Sequence, residues 1–195
     1  EHKILPFGGI KTFFAQASLS GKRIGVCRAK KMCESEEALF QKVLSSLQEL
    51  GAQVSELPQP QARFTPGDIM KYEFKRCMDA YLAALPQFPL KALEDLMDYN
   101  RAHAHEALRY GQGLFEEALE CAKDENGYRR VLQAVWEDRK RAYQVLESYD
   151  AVLLSDENTD LGPYLNCPEI TVPCGLRANG APQGLFLIAK PYEEA

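Results

Sequence analysis

The 195-residue sequence has no apolar run approaching the roughly 20 residues a membrane-crossing helix requires, so no bilayer-spanning segment is expected. Its opening residues, Glu1-His-Lys-Ile, hold no apolar core of the kind a secretory leader carries. The six cysteines (27, 33, 77, 121, 167 and 174) are scattered, with no Cys-x-x-Cys pair. A dense disulfide framework is therefore not indicated, and free thiols in a reducing cytoplasm are the expectation. Positive charge is short as well: 23 basic against 28 acidic residues leave a net charge of −5. That balance points away from a nucleic-acid footprint and from a polybasic membrane anchor. Only three histidines are present. His103 and His105 lie two apart and would point to different faces of a helix, and His2 is terminal, so no metal set and no cofactor are expected. No serine stands among glycines. The only Ser-Ser pair, Ser45-Ser46, falls inside an amphipathic pattern, and Gly8-Gly9 has no serine beside it.

What is there reads as one α/β domain, with or without appendages. Hydrophobic residues make up 46% and charged residues 26%, enough apolar material for a core. Residues 1–20 form an irregular lead-in. Within 21–57, Ile24 and Val26 alternate with Arg23 and Gly25 as in a strand. Ser35 is placed to cap the next helix, with Glu36 and Glu37 in its first turn. Leu39, Phe40, Val43, Leu44, Leu47 and Leu50 recur at helical spacing, and Gly51 stops the run. Gln53–Leu57 is a second short strand, so the segment is a βαβ unit with a parallel pair. Residues 67–149 read as a helical block: 68–85, 90–100, one or two pieces in 101–121, and a long helix with Asn126 as its cap. That helix carries Tyr128, Val131, Leu132, Val135, Trp136, Tyr143, Leu146 and Tyr149 on its apolar face. Glu137, Asp138, Arg139, Lys140 and Arg141 fall on a solvated charged face. Residues 150–195 hold the strand Asp150–Leu154, then a polar loop over 155–166 whose acids Asp156, Glu157 and Asp160 read as solvated turn residues. Last come two apolar strands joined by a Gly-rich turn.

Those last strands are Glu169-Ile-Thr-Val-Pro-Cys-Gly175 and Gly180-Ala-Pro-Gln-Gly-Leu-Phe-Leu-Ile188, with Pro173 and Pro182 placed where a strand is entered or left. Their near-continuous apolar character is the pattern of strands buried on both faces. They resemble the C-terminal block of the amidase signature family. Three upstream blocks match in order: Leu19-Ser-Gly-Lys-Arg-Ile-Gly-Val26, then Glu73-Phe-Lys-Arg-Cys-Met-Asp-Ala-Tyr-Leu82, then Leu93-Glu-Asp-Leu-Met-Asp-Tyr-Asn100 with Gly111-Gln112; Asp150-Ala-Val-Leu-Leu154 with the terminal strands completes the match. The resemblance implies a partial amidase-type fold. Its mixed sheet, flanked by helices, would hold the strands near Ile24, Val54, Val152, Val172 and Leu187, with the helical block between the βαβ unit and the C-terminal strands.

The family's Ser–cis-Ser–Lys triad and oxyanion loop would lie upstream of the block at Leu19, so no residue here is carried over as catalytic. A weak nucleophile needs an adjacent base, and the oxyanion needs fixed donors. The implied complete enzyme would hydrolyse a small-molecule carboxamide. This portion would finish the sheet and wall the substrate pocket, inactive by itself. The family narrows its pocket in the segments matching Tyr164–Pro168 and Cys174–Gly180; substrate contacts are expected within Tyr164–Gly175, with Tyr164, Thr171, Cys174 and Gly175 as the candidates. Cys174 follows a strand as a nucleophile would, but no base accompanies it, and a buried structural thiol is the reading adopted. Two alternatives stand: a non-catalytic α/β binding or scaffold module derived from an amidase, and part of a glutamine-amidotransferring subunit, which Pro173-Cys-Gly and Lys190-Pro-Tyr also resemble. Self-association through a bare sheet edge or face is expected.

Overall fold

The computed structural model describes residues 18–29, 31–58, 62–155 and 160–192. The described chain divides into a sheet unit, built from residues before 63 and after 136, and a helical unit, Arg63–Trp136.

In the sheet unit, β1 (Arg23–Cys27) leads through helix α1 (Glu34–Glu49) to β2 (Gln53–Leu57). β1 pairs in parallel with β2, Ile24 opposite Val54, as the βαβ pattern requires. Helix α1 starts two residues earlier than expected. Cys33, not Ser35, is the N-cap, and its N–H donates to the Glu36 carboxylate at 3.0 Å. Gly51, at φ +91°, ends the helix in the left-handed conformation that a side chain would resist. β3 (Ala151–Leu154) lies on the other side of β1, again parallel. The chain then makes a short helix, α7 (Leu161–Leu165), and an antiparallel pair, β4 (Glu169–Leu176) and β5 (Pro182–Ile188). One mixed sheet results, ordered β2-β1-β3-β5-β4, which is the architecture expected.

Cross-strand partners share a face, so two faces can be read off the register. On one, Val26, Leu153 and Leu187 follow one another across β1, β3 and β5. Here α1 buries Phe40 and Leu44 against Ile24, Val26, Leu153 and Leu185, each worth ~1.5–3 kcal/mol when fully covered. α1 meets the outer strand only at its far end, where Gly175 backs onto Leu39. Ile170 is 62% exposed and Val172 44%, which corrects the expectation that both terminal strands are buried on two faces. Only β5 has buried positions; β4 is an edge. Pro173 also sits inside β4, at the register shift between Pro173 and Gly175, and an edge strand tolerates the missing N–H.

Residues 155–166 were expected as a polar loop. Instead, α7 buries Leu161, Tyr164 and Leu165 and ends at Asn166 in the left-handed conformation, φ 57°. Residues 156–159, with Asp156 and Glu157, lie outside the described residues, as do His2, Gly8-Gly9 and residues 193–195.

In the helical unit, α2 (Pro66–Ala83) opens on a capping box. Thr65 N–H donates to Asp68 Oδ2 at 2.8 Å, and Asp68 N–H returns to Thr65 Oγ1 at 3.3 Å. Next come α3 (Leu93–Ala102), α4 (Ala104–Ala107) and α5 (Gly113–Cys121). Asp79 of α2 accepts from Leu93 N–H at 2.8 Å and so caps α3. Leu93, Met97 and Ala118 form the core, with Phe74 stacked on Phe115. The long helix α6 (Glu125–Leu146) begins ahead of Asn126. Asp124 is its cap, accepting from Gly127 N–H at 2.8 Å, so the expected Asn126 cap is corrected. Two of its expected core residues face outward: Trp136 is 59% and Leu132 40% exposed. Conversely, Asp138, expected on a solvated face, is 1% exposed.

Candidate functional site

The parallel strands β1 and β3 end side by side, and Ser155 ties the ends together. Its hydroxyl accepts from Ala29 N–H at 2.7 Å, and its N–H donates to Cys27 O at 3.2 Å. β1 sends its crossover to β2 on one side while β3 lies on the other, which makes this the point where strand order reverses. Open α/β sheets bind ligands in the crevice beyond such a point. A recess of about 260 Å³ is there, with Lys31, Glu36, Ser155, Cys174, Arg177 and Gln183 as its polar lining. Met32, Phe40 and Leu185 supply an apolar wall. Arg177 stands 3.7 Å from Glu36 and donates to the Gln183 side-chain oxygen. The Cys33 N–H holds the Glu36 carboxyl below its usual range, so it is ionised at neutral pH. Arg28, over the Phe40 ring at 4.9 Å, is bonded to Glu37 and Glu56, each at 2.7 Å.

The Cys174 thiol donates to Gln183 O at 3.3 Å, and burial pushes its pKa up. A thiol held in its protonated form is a poor nucleophile. Gly175 beside it has φ +147° and backs onto Leu39, whose Cδ2 would lie 2.6 Å from an added Cβ. Thr171 is exposed on β4, opposite Phe186 in the register. Tyr164 is buried and donates its hydroxyl to Asp138 Oδ2 at 2.5 Å. The four residues singled out from the sequence thus do not share one cavity: Cys174 lines the recess, while Tyr164 is fixed on α6.

Asp138 is the residue that sequence reasoning missed. Its carboxylate also receives Arg141, and it lines an apolar cleft of about 330 Å³ between the end of α6 and the sheet, with Cys27, Val145, Val152 and Ile188. α6 grips α7 further through Arg139 Nε to Tyr164 O at 2.8 Å and Tyr143 hydroxyl to Leu165 O at 2.7 Å. A signal was present: Val131, Val135, Asp138, Ala142 and Leu146 run at i+4, i+3, i+4, i+4, which puts the acid on the apolar stripe. His103 stacks on Tyr99 with ring centroids 4.1 Å apart, and His105 is exposed. Among the described residues no group of three or more His, Cys, Asp or Glu could hold a metal ion, and no helix is long and apolar enough to cross a membrane.

No family model matches the chain. It is 26% identical to a probable amidase of Arabidopsis thaliana, over 94% of this chain and 37% of that protein. The crystal structure of an amidase family protein from Bacillus anthracis superposes with a TM-score of 0.80 at 26% identity, covering 90% of this chain and 36% of that one. The peptide amidase from Stenotrophomonas maltophilia shares the fold, with a TM-score of 0.68 at 24% identity, over 90% of this chain and 40% of that one. Sequence and fold are therefore similar to those of amidase-family proteins, along a stretch little more than a third of their length.

Proposed function

We propose that this chain is the portion of an amidase-type hydrolase that follows the catalytic segment: it completes the sheet, walls the substrate pocket, and turns over no amide by itself. The observation that carries the reading is the pairing of two facts. Amidase likeness spans 90–94% of this chain but only 36–40% of three similar proteins. And none of the four candidate groups, Ser45, Ser46, Ser155 and Cys174, is armed for attack. Ser45 and Ser46 are exposed on α1. The Ser155 hydroxyl bonds backbone groups, Ala29 N–H at 2.7 Å and Cys27 O at 3.4 Å, and burial pushes the Cys174 pKa up, away from the nucleophilic thiolate. Hydrolysis of a carboxamide needs a nucleophile within reach of a base and an oxyanion hole. The test is ammonia release from a broad panel of carboxamides by the purified chain. No turnover above buffer is expected. Turnover that survives repurification and is lost in Cys174→Ala would overturn the proposal and make the thiol the nucleophile.

A further inference from the structure

We propose that the recess beyond β1 and β3 binds a small monocarboxylate, an acid with one anionic head and a short apolar body. The inference stands on this chain's own geometry and holds whether or not the amidase reading does. Among the described lining residues, Lys31 and Arg177 are cationic and Glu36 is anionic, so the inventory is 2 − 1, one unit of positive charge. Arg177 is partly committed, to Glu36 at 3.7 Å and to Gln183. Lys31 is exposed and pairs with none of the described residues. Its ammonium is the group that would meet an incoming carboxylate, with the Arg177 guanidinium on the other flank.

Two further features narrow the ligand. Ser155 and Gln183 are both more than nine-tenths buried, at 9% and 7% exposure, and each is fixed by its own hydrogen bonds, so the floor is built rather than mobile. Met32, Phe40 and Leu185 offer an apolar side for a hydrocarbon body. At about 260 Å³ the recess falls just under the ~300–1,000 Å³ of sites that hold drug-sized molecules, which favours a short chain. Against the described lining residues, a phosphate dianion would leave one negative charge unmatched, and an ammonium would meet two cations against one anion.

The experiment follows amide shifts of the ¹⁵N-labelled chain titrated with sodium butyrate at constant ionic strength, with butyramide, n-butylamine and inorganic phosphate as comparison probes. Saturable shifts are expected at Ala29, Lys31, Ser155 and Gln183. The neutral isostere butyramide and the Lys31→Gln chain should each bind about tenfold more weakly or worse. Arg177→Gln is a second variant, should either spectrum lose its dispersion. Butyramide binding as tightly as butyrate, or butyrate affinity unchanged in both variants, would overturn the proposal. So would phosphate saturating the same amides more tightly, or the absence of any saturable shift. The readout is binding to the chain as it stands, so a failed turnover assay leaves this result intact, and a failed titration leaves the amidase reading intact.

Discussion

Replacing Tyr164 by Phe removes one hydroxyl and nothing else. That hydroxyl donates to the Asp138 carboxylate at 2.5 Å, with Tyr164 and Asp138 both 1% exposed. A hydrogen bond to a charged partner contributes about 1.5–3 kcal/mol, and more is at stake where water cannot replace the lost donor. Asp138 keeps Arg141, which limits the loss, so about 2 kcal/mol is the working figure. With a urea slope of about 2 kcal/mol/M, the unfolding midpoint should fall by about 1 M. Tyr143→Phe is the matched control. It also deletes a hydroxyl bonded to α7, but the acceptor is the uncharged Leu165 carbonyl at 2.7 Å, so about 0.5–1.5 kcal/mol is expected. Urea unfolding followed by circular dichroism, with both variants in parallel, is the assay. Tyr143→Phe costing as much as Tyr164→Phe would refute the argument that the buried charge sets the magnitude.

Thiol labelling should sort by burial. Cys33 and Cys77 are exposed, whereas burial raises Cys27 and Cys167 to pKa values of about 11; mass spectrometry after brief alkylation at neutral pH should find the first pair modified and the second untouched until unfolding. Gly175→Ala combines φ +147° with a Cβ 2.6 Å from Leu39 Cδ2, and Gly180→Ala has φ +81° with open space around it. The first should cost about 1–3 kcal/mol and exceed the second, and equal melting shifts would deny the Leu39 clash. The Arg23 N–H, at 2.7 Å, and then Lys22 hold the Asp150 carboxyl below its usual range. A depressed folded pKa gives stability that is present above the unfolded value of about 3.9 and lost as pH falls through the folded one. Melting temperatures between about pH 6 and 3 should therefore fall less steeply in Asp150→Asn, and parallel curves would count against this. Sedimentation velocity should show association that rises with concentration and weakens in Val172→Lys; a monomer throughout would mean the apolar residues of β4 recruit nothing.

The sheet was legible because its strands carry their own signals. Ile24 and Val26, Val54, Val152 and Leu153 alternate or run apolar over lengths only a strand explains, and the helix between the first two has an unbroken 3.6-residue period. α7 was not legible. It has five residues, two of them Gly162 and Pro163, and its buried Leu161, Tyr164 and Leu165 are too few to set a period. The exposure of Ile170 and Val172 could not be read either, because it depends on where α1 stops on the sheet rather than on the composition of β4. Asp138 was hidden by its neighbours: in a run of Glu, Asp, Arg, Lys and Arg, residue type suggested solvent, and only the phase of the apolar stripe said otherwise.

The parallel pairing of β1 with β3 sets Ile24 beside Ala151, and the bond from Arg23 N–H to Asp150 links residues 127 apart in sequence. On a ribosome adding about 5–20 residues per second, β1 would wait roughly 6–25 s for that neighbour. During the wait β2 is the only described strand already made that pairs with it, and the side that β3 later occupies presents free peptide groups to other nascent chains nearby. The chain should therefore be most prone to misassembly during synthesis, and a chaperone that shields the β1–β2 segment should raise its yield more than one acting on the finished protein.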